Sequence, residues 1–205
     1  MRIIGGELRG KTIVPPNGFA ARPTTDFAKE GLFNVLLNEF DFESISVLDL
    51  FSGTGSISYE FASRGCNDII SIEMNPLHAN FIKKASLMLG ISKKIQSIRH
   101  NVFDFIPLCN KQFDIVFADP PYSIEGLDTL PERVLGVPMN SMPDTKDSYT
   151  GSPTEIEPCY VAKCLVKGGG YFILEHPKEF NFESHPFFVK EKKYGNVHFS
   201  FFRPR

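Results

Sequence analysis

Four consecutive residues, Asp119-Pro120-Pro121-Tyr122, directly follow the apolar run Phe113-Asp114-Ile115-Val116-Phe117-Ala118, and their types suit one narrow chemical task. The exocyclic amine of a nucleobase is conjugated with its ring, so its lone pair attacks poorly until acceptors hold the amine hydrogens out of the ring plane. Asp119 supplies a carboxylate acceptor. The peptide between the prolines supplies a second, rigid one, the Pro120 carbonyl, because proline fixes φ and drives the residue before it to an extended conformation. Tyr122 then offers an aromatic face to a base taken out of its stack, with Pro121 beside it on the substrate side. The pattern points to methylation of such an amine; a strand that merely ends in a Pro-Pro turn is the other reading. Ligands of open α/β sheets bind beyond the carboxyl ends of the strands, and the tetrapeptide falls at such an end.

A second cluster, Asp49-Leu50-Phe51-Ser52-Gly53-Thr54-Gly55, follows an apolar run and opens a helical pattern. Gly-x-Gly alone is a weak signal. Here Ser58 stands where the third glycine of a dinucleotide fingerprint belongs, and Asp49 lies just before the glycines. A pyrophosphate wants bare N–H groups at a helix amino end and would be repelled by that carboxylate. S-adenosylmethionine, which carries an amino group and a sulfonium and no phosphate, would tolerate it. Glu73, 24 positions beyond Asp49, ends the next apolar run, where an acid can accept bonds from both ribose hydroxyls; an ordinary exposed strand-end acid is the alternative. Further on, Asn101 is placed to bond an adenine amine or to cap a short helix. Val102 and Phe103 are placed to cover the adenine ring, and Asp104 to act there or as surface charge.

The elements that must position these residues follow from periodicity. From Ser46 onward apolar strands alternate with helical patterns, the signature of a parallel sheet with crossover helices. Five parallel strands are expected: Val47 to Phe51, Asp68 to Glu73, Ile95 to His100, Phe113 to Asp119 and Tyr171 to Glu175. Thr25 or Asp26 can cap a helix with Ala28, Leu32, Val35 and Leu36 on one face. Asn75 and Pro76 start another, lined by Leu77, Phe81, Ala85 and Met88 and ended by Gly90. Phe187 to Tyr194 and Val197 to Phe202 flank Gly195-Asn196 as a closing hairpin, which needs an antiparallel partner. Arg2 to Pro16 reads as two short strands, giving a β-hairpin extension over 1–24 ahead of a main domain over 25–205. Residues 123–158 hold five prolines without a sustained period. A short helix near Leu127 to Leu135 is expected there, within a long, mobile loop.

At 205 residues the chain suits one domain with a small extension. Hydrophobic residues make up 42% and charged residues 22%, and no apolar stretch reaches membrane-spanning length, so a soluble, cytoplasmic protein without membrane partners is expected. Cys66, Cys109, Cys159 and Cys164 are scattered, with neither a C-x-x-C pair nor histidines at zinc spacing; buried thiols and no metal are expected. The formal charge is -2, which argues against binding nucleic acid by bulk electrostatics alone. Its distribution is uneven: residues 1–30 carry a net +2 and the remainder -4.

With the first strand, Gly53-Thr54-Gly55, Glu73 and Asp119-Pro120-Pro121-Tyr122 in this order, the chain resembles the class I S-adenosylmethionine-dependent methyltransferases, a Rossmann-like α/β fold. More closely it resembles the RsmD-type guanine-N2 methyltransferases of small-subunit ribosomal RNA. The closer likeness rests on Arg2-Ile3-Ile4-Gly5-Gly6, on Arg22-Pro23-Thr24-Thr25-Asp26 before a helix containing Leu32-Phe33-Asn34, on Leu48 to Gly55, and on Tyr194-Gly195. The resemblance implies methyl transfer to one guanine amine, a seven-stranded sheet with its last strand antiparallel, and an amino-terminal extension that touches RNA. Asp119 and the Pro120 carbonyl become the amine acceptors, Tyr122 the stacking platform, and Arg22 with Thr24 a substrate-side contact. The expected partner is ribosomal RNA, free or within a partly or fully assembled small subunit, bound by a monomer. The family's further arginine after the Asp26 position is absent, with Phe27-Ala28-Lys29 in its place, which assigns a phosphate contact to Lys29 if one is kept. Adenine N6 in DNA is the rival substrate, and a catalytically silent RNA-binding or assembly factor the rival class.

Overall fold

The structure is a computed structural model, and it describes residues 1–15, 24–136 and 163–204. Helix α1 (Asp26–Leu37) begins where Thr25 accepts a hydrogen bond from the Ala28 amide at 3.2 Å, which satisfies one of the unpaired amides of the first turn. The chain then alternates: β1 (Ser46–Leu50), α2 (Ser56–Ser63), β2 (Asp68–Glu73), α3 (Pro76–Met88), β3 (Ile95–Arg99), α4 (Val102–Leu108) and β4 (Phe113–Ala118). A 3₁₀ turn (Leu127–Thr129) runs into α5 (Leu130–Leu135), and β5 (Val166–His176), β6 (Phe188–Tyr194) and β7 (Val197–Phe202) complete the described residues.

All seven strands form one sheet in the order β3-β2-β1-β4-β5-β7-β6. The first five are parallel, and β7 enters antiparallel to both β5 and β6, as the resemblance implies. Strand β1 is buried at every position, as a central parallel strand must be when helices cover both faces. Because side chains alternate along a strand, the sheet feeds two cores. Val47, Ile115, Phe117, Ile173 and Phe199 pack with α1 and α2 on one side; Leu48, Leu50, Val116, Phe172 and Leu174 pack with α4 and α5 on the other.

Strand order reverses between β1 and β4: α2 carries the chain from β1 to β2 on one side, and β4 takes up the other side of β1. Such a switch point opens a crevice at the carboxyl ends of the strands, so the sheet topology alone places the glycine loop after β1 beside the Asp-Pro-Pro-Tyr turn after β4.

Several expectations from periodicity need correction. The amino-terminal segment makes a single antiparallel bridge, Arg2 with Thr12, rather than two strands, because Gly6 and Gly10 both adopt positive φ and tighten the turn. Strand β5 begins at Val166, five residues earlier than expected: Gly168-Gly169-Gly170 reads as a loop but lies in the strand. A Cβ at Gly170 would meet the Asp114 carbonyl oxygen at 2.4 Å, so glycine there permits the close approach of β4 and β5, where their register shifts. Helix α3 buries Ala79, Ile82, Ala85 and Ser86, while Leu77 and Met88 are exposed, so the face turned to the core is offset from the one expected. The helix near Leu127 to Leu135 is present; the loop expected beyond it falls mostly on 137–158, outside the described residues. Cys66 and Cys109 are buried free thiols, Cys164 is a half-buried one, and Cys159 lies outside the described residues.

A buried ionic hub joins the amino-terminal segment to the sheet domain. The Glu60 carboxylate on α2 accepts from the Ile4 amide at 2.8 Å, from Lys29 Nζ at 3.0 Å and from the Arg64 guanidinium. Lys29 is 1% exposed and also donates to the Arg2 carbonyl at 2.5 Å. Lys29 is therefore committed to the interior and cannot reach a phosphate, which corrects the role assigned to it from the sequence. Replacing one partner of such a pair strands the other charge without solvent. Glu60→Ala is expected to lower the unfolding free energy by about 3–5 kcal/mol in urea titration; a loss of less than about 1 kcal/mol, the level of a surface pair, would contradict this account.

Candidate active site

Four neighbouring strands each bring one carboxylate to the same end of the sheet. Glu73 ends β2, Asp49 is the penultimate residue of β1, Asp119 follows the last residue of β4, and Glu175 is the penultimate residue of β5. All four line a single cavity of about 720 Å³, together with Thr24, Phe51, Gly53, Asn101, Val102, Phe103, Pro120, Pro121 and Tyr122. That volume lies within the range that holds a cofactor-sized ligand. Among the described residues lining it there is no lysine or arginine, and His78 is the one basic side chain. A chamber with this charge repels phosphate and attracts a cation.

The glycine loop is built around its acids. Phe51 adopts φ 57, a strained conformation for a bulky residue, and this turns the chain so that the Ser52 amide donates to the Ile72 carbonyl at 3.0 Å. The Gly53 amide then donates to Glu73 Oε2 at 2.8 Å, while Glu73 Oε1 accepts from the Asn75 amide at 2.7 Å. Glu73 is thus not a freely exposed strand-end acid: backbone donors hold it at the cavity wall. Ser58, at the position of the missing glycine, donates to Asp49 Oδ2 at 2.5 Å. Burial is the largest influence on Asp49 and pushes its carboxyl up to about 7, with the Glu73 charge adding to the rise and the Ser58 bond opposing it.

Asp119 sits at the tip of β4, and its pKa is raised well above the usual carboxylate range, first by burial, then by the charges of Glu175 and Asp49. Tyr122 is 45% exposed at the rim. Asn101 caps α4, its Oδ1 accepting from the Phe103 amide at 2.8 Å, and points Nδ2 at Met74 Sδ, 3.7 Å away. Of the two roles posed above, the cap is seen, and Asn101 also lines the cavity. The rings of Phe51 and Phe103 meet edge to face at 6.0 Å, forming an apolar wall.

Gly55, expected to touch the cofactor, does not line the cavity. It caps α2 at φ 83, and a Cβ there would meet the Tyr59 ring at 2.8 Å, so its smallness serves packing. Thr24 does line the cavity, and its hydroxyl donates to Glu175 Oε2 at 3.0 Å; Arg22 lies outside the described residues. Two titratable lining residues were not singled out from the sequence as site residues. His78, on the first turn of α3, lies 3.9 Å from Glu73. Glu175 is 4% exposed. The available signal for Glu175 was positional: an acid at the carboxyl end of the strand beside β4.

Comparison with known proteins places this arrangement. The structure named "Putative methyltransferase yhhF", from Escherichia coli, superposes over 100% of this chain and 98% of its own with a TM-score of 0.73 at 24% identity. The fold is thus that of the Rossmann-like methyltransferases. A family model described as Conserved hypothetical protein 95 matches residues 1–136. The chain belongs to this family, the RsmD-type family whose motifs its sequence resembles. It is 34% identical over 122 residues to ribosomal RNA small subunit methyltransferase D of Buchnera aphidicola, and 35% over 125 residues to the protein of that name from Haemophilus influenzae. Each match takes in 60% of this chain, and 61% and 64% of the respective relatives.

The Asp49 environment predicts a pH dependence. A carboxyl with a folded-state pKa raised above its unfolded value binds its proton more tightly when folded, so stability is greatest at low pH and falls as pH rises from about 4 through about 7. A shift of this size corresponds to roughly 2–4 kcal/mol. Asp49→Asn is therefore expected to be more stable than the wild type at pH 8 by an amount that vanishes near pH 4, in urea titrations of the ligand-free protein. A stability difference independent of pH would show that Asp49 titrates normally.

Proposed function

We propose that this protein methylates the exocyclic N2 amine of a guanine in small-subunit ribosomal RNA, using S-adenosylmethionine. The single observation that carries the chemistry is the cavity in which Asp119-Pro120-Pro121-Tyr122 and the acid-held glycine loop meet with no lysine or arginine among the described lining residues. The residues fit the cofactor on their own chemistry. Asp49 and the loop from Phe51 to Gly53 would receive its amino acid end, Glu73 its ribose, and Asn101, Val102 and Phe103 its adenine. When bound, S-adenosylmethionine supplies a methyl group made electrophilic by the positive sulfur.

Each remaining step belongs to the chain. Tyr122 would cover the flipped base at the rim with Pro121 beside it, and Thr24 with Arg22 would meet the RNA from the amino-terminal side. Asp119 and the Pro120 carbonyl would take the two amine hydrogens and so aim the nitrogen lone pair inward. No group in this scheme bonds covalently to the base; positioning and fixed electrostatics provide the acceleration. Ribosomal RNA as the carrier is supported by the names of the relatives, and guanine as the base by the resemblance of the sequence to the RsmD-type guanine-N2 methyltransferases. The chain would act as a cytoplasmic monomer, and its near-neutral charge favours a partly assembled subunit, where protein as well as RNA surface is available, over free RNA.

The test is incubation with radiolabelled S-adenosylmethionine and either naked ribosomal RNA or small subunits lacking the modification, followed by mass spectrometry of the nucleosides. Label in N2-methylguanine is expected; label only in adenine of added DNA, or in nothing, would overturn the reading. In the same assay Asp119→Ala should cut turnover at least about a hundredfold while cofactor binding by calorimetry stays close to wild type. Glu73→Ala should instead weaken cofactor binding, by roughly 10- to 100-fold if one charged hydrogen-bonding anchor is lost. An unchanged dissociation constant would remove Glu73 from the cofactor site.

A further inference from the structure

Glu175 is the one cavity carboxylate to which the proposed reaction assigns no role, and its surroundings suggest one. Strands β4 and β5 run parallel with Ala118 opposite Leu174, so the next residues of the two strands, Asp119 and Glu175, stand side by side at the sheet end. Both line the same cavity. Glu175 is buried, and the Thr24 hydroxyl donates to it at 3.0 Å, which fixes one of its oxygens from the side where the amino-terminal segment enters. Two carboxyl groups this close do not titrate independently.

We infer that Glu175 is a positioning residue that makes Asp119 a stronger proton acceptor, so that Asp119 takes the proton the amine must lose. The inference rests on the methyl-transfer reading above and deepens it. In the balanced step the nitrogen lone pair forms the new N–C bond as the methyl group leaves sulfur, whose bonding pair stays behind as a neutral thioether. The nitrogen then carries a positive charge. One N–H bond breaks with its electrons returning to nitrogen, and the proton moves to an Asp119 oxygen. The positive sulfur and the negative Asp119 are thereby both discharged, and Asp119 later gives its proton to water. A neighbouring anion raises the proton affinity of Asp119 throughout, and among the described residues that line the cavity there is no lysine or arginine to offset it. Among the described residues, the other titratable side chains lining the cavity are Asp49 from β1, Glu73 from β2, His78 from α3 and Tyr122 after β4, with Thr24 and Thr25 the neutral groups before α1. His176, next to Glu175, bonds Ser200 at 2.8 Å and lies on the other face of the strand.

The direction for Asp119 agrees with this: its pKa is raised well above the ordinary range, with the charge of Glu175 the largest contribution after burial. Glu175→Gln keeps the shape and the capacity to accept from Thr24 but removes the charge. Carboxyl-carbon NMR titration of the full-length protein, without RNA, reads the pair independently of turnover. The Asp119 midpoint is expected to fall by about one pH unit or more in Glu175→Gln and to stay raised in Glu175→Asp. The acidic limb of the rate–pH profile should move down by the same amount. An Asp119 midpoint unchanged in Glu175→Gln would overturn the coupling. Activity lost equally at every pH, with Asp119 titrating as in the wild type, would assign Glu175 a merely structural part and overturn the inference as well. A midpoint that falls while the wild-type protein methylates no guanine would leave the coupled pair standing and refute the proposed reaction instead.

Discussion

Mutual repulsion among four carboxylates is the constraint around which this protein is organised. Glu73, Asp49, Asp119 and Glu175 occupy adjacent strand ends of one parallel sheet and face one cavity. Burial and the charges of neighbouring acids raise the proton affinity of Asp49 and Asp119, and the fold compensates locally. Gly53 and Asn75 amides hold Glu73, Ser58 holds Asp49, and Thr24 holds Glu175. Among the described residues lining the cavity there is no arginine or lysine, the usual partner for a buried acid. The unmet demand for positive charge is the binding signal, and a sulfonium-bearing cofactor meets it where a nucleotide phosphate cannot.

The same constraint explains why the amino-terminal segment is bound so firmly to the domain. Thr24 reaches the cavity only if the chain ahead of α1 is held in place, and the Glu60 hub does this by gathering the Ile4 amide, Lys29 and Arg64 onto α2. Asp26 adds a second tie, an ion pair with Arg2 at 2.9 Å. The interior of α1 is thus charged where an ordinary amphipathic helix would be apolar. Lys29 serves as a fastener.

Much of this was legible in the sequence because the informative signals are local. Runs such as Val47 to Leu50 and Phe113 to Ala118 are apolar apart from Asp49 and Asp114, the near-continuous pattern of strands covered on both faces. Asn75-Pro76 and Gly90 carry capping chemistry that is independent of tertiary context. The Asp-Pro-Pro-Tyr turn and the Asp49 to Gly53 loop were legible for the same reason, since their backbone and charge requirements lie within a few residues. Apart from the amino-terminal turn, where Gly6 and Gly10 act locally, the failures are non-local. Lys29 looked exposed because its partner Glu60 is 31 residues away; Gly168 to Gly170 looked like a loop because the Asp114 carbonyl that crowds Gly170 belongs to another strand. Met88 and Leu77 looked buried because the sequence does not show which face of α3 meets the sheet; the buried face runs through Ala79, Ile82, Ala85 and Ser86. Glu175 went unnoticed because nothing near it in sequence distinguishes it; only the parallel register beside β4 brings it to Asp119.

The most direct measurement is a crystal structure of the protein with a non-transferable, positively charged analogue of S-adenosylmethionine and guanosine. The account predicts the amino acid end of the analogue at Asp49 and the Gly53 loop, its ribose on Glu73, and the guanine N2 within hydrogen-bonding distance of both the Asp119 carboxylate and the Pro120 carbonyl. A complex in which the base amine lies beyond reach of Asp119, or in which the analogue binds outside the acid-lined cavity, would contradict it.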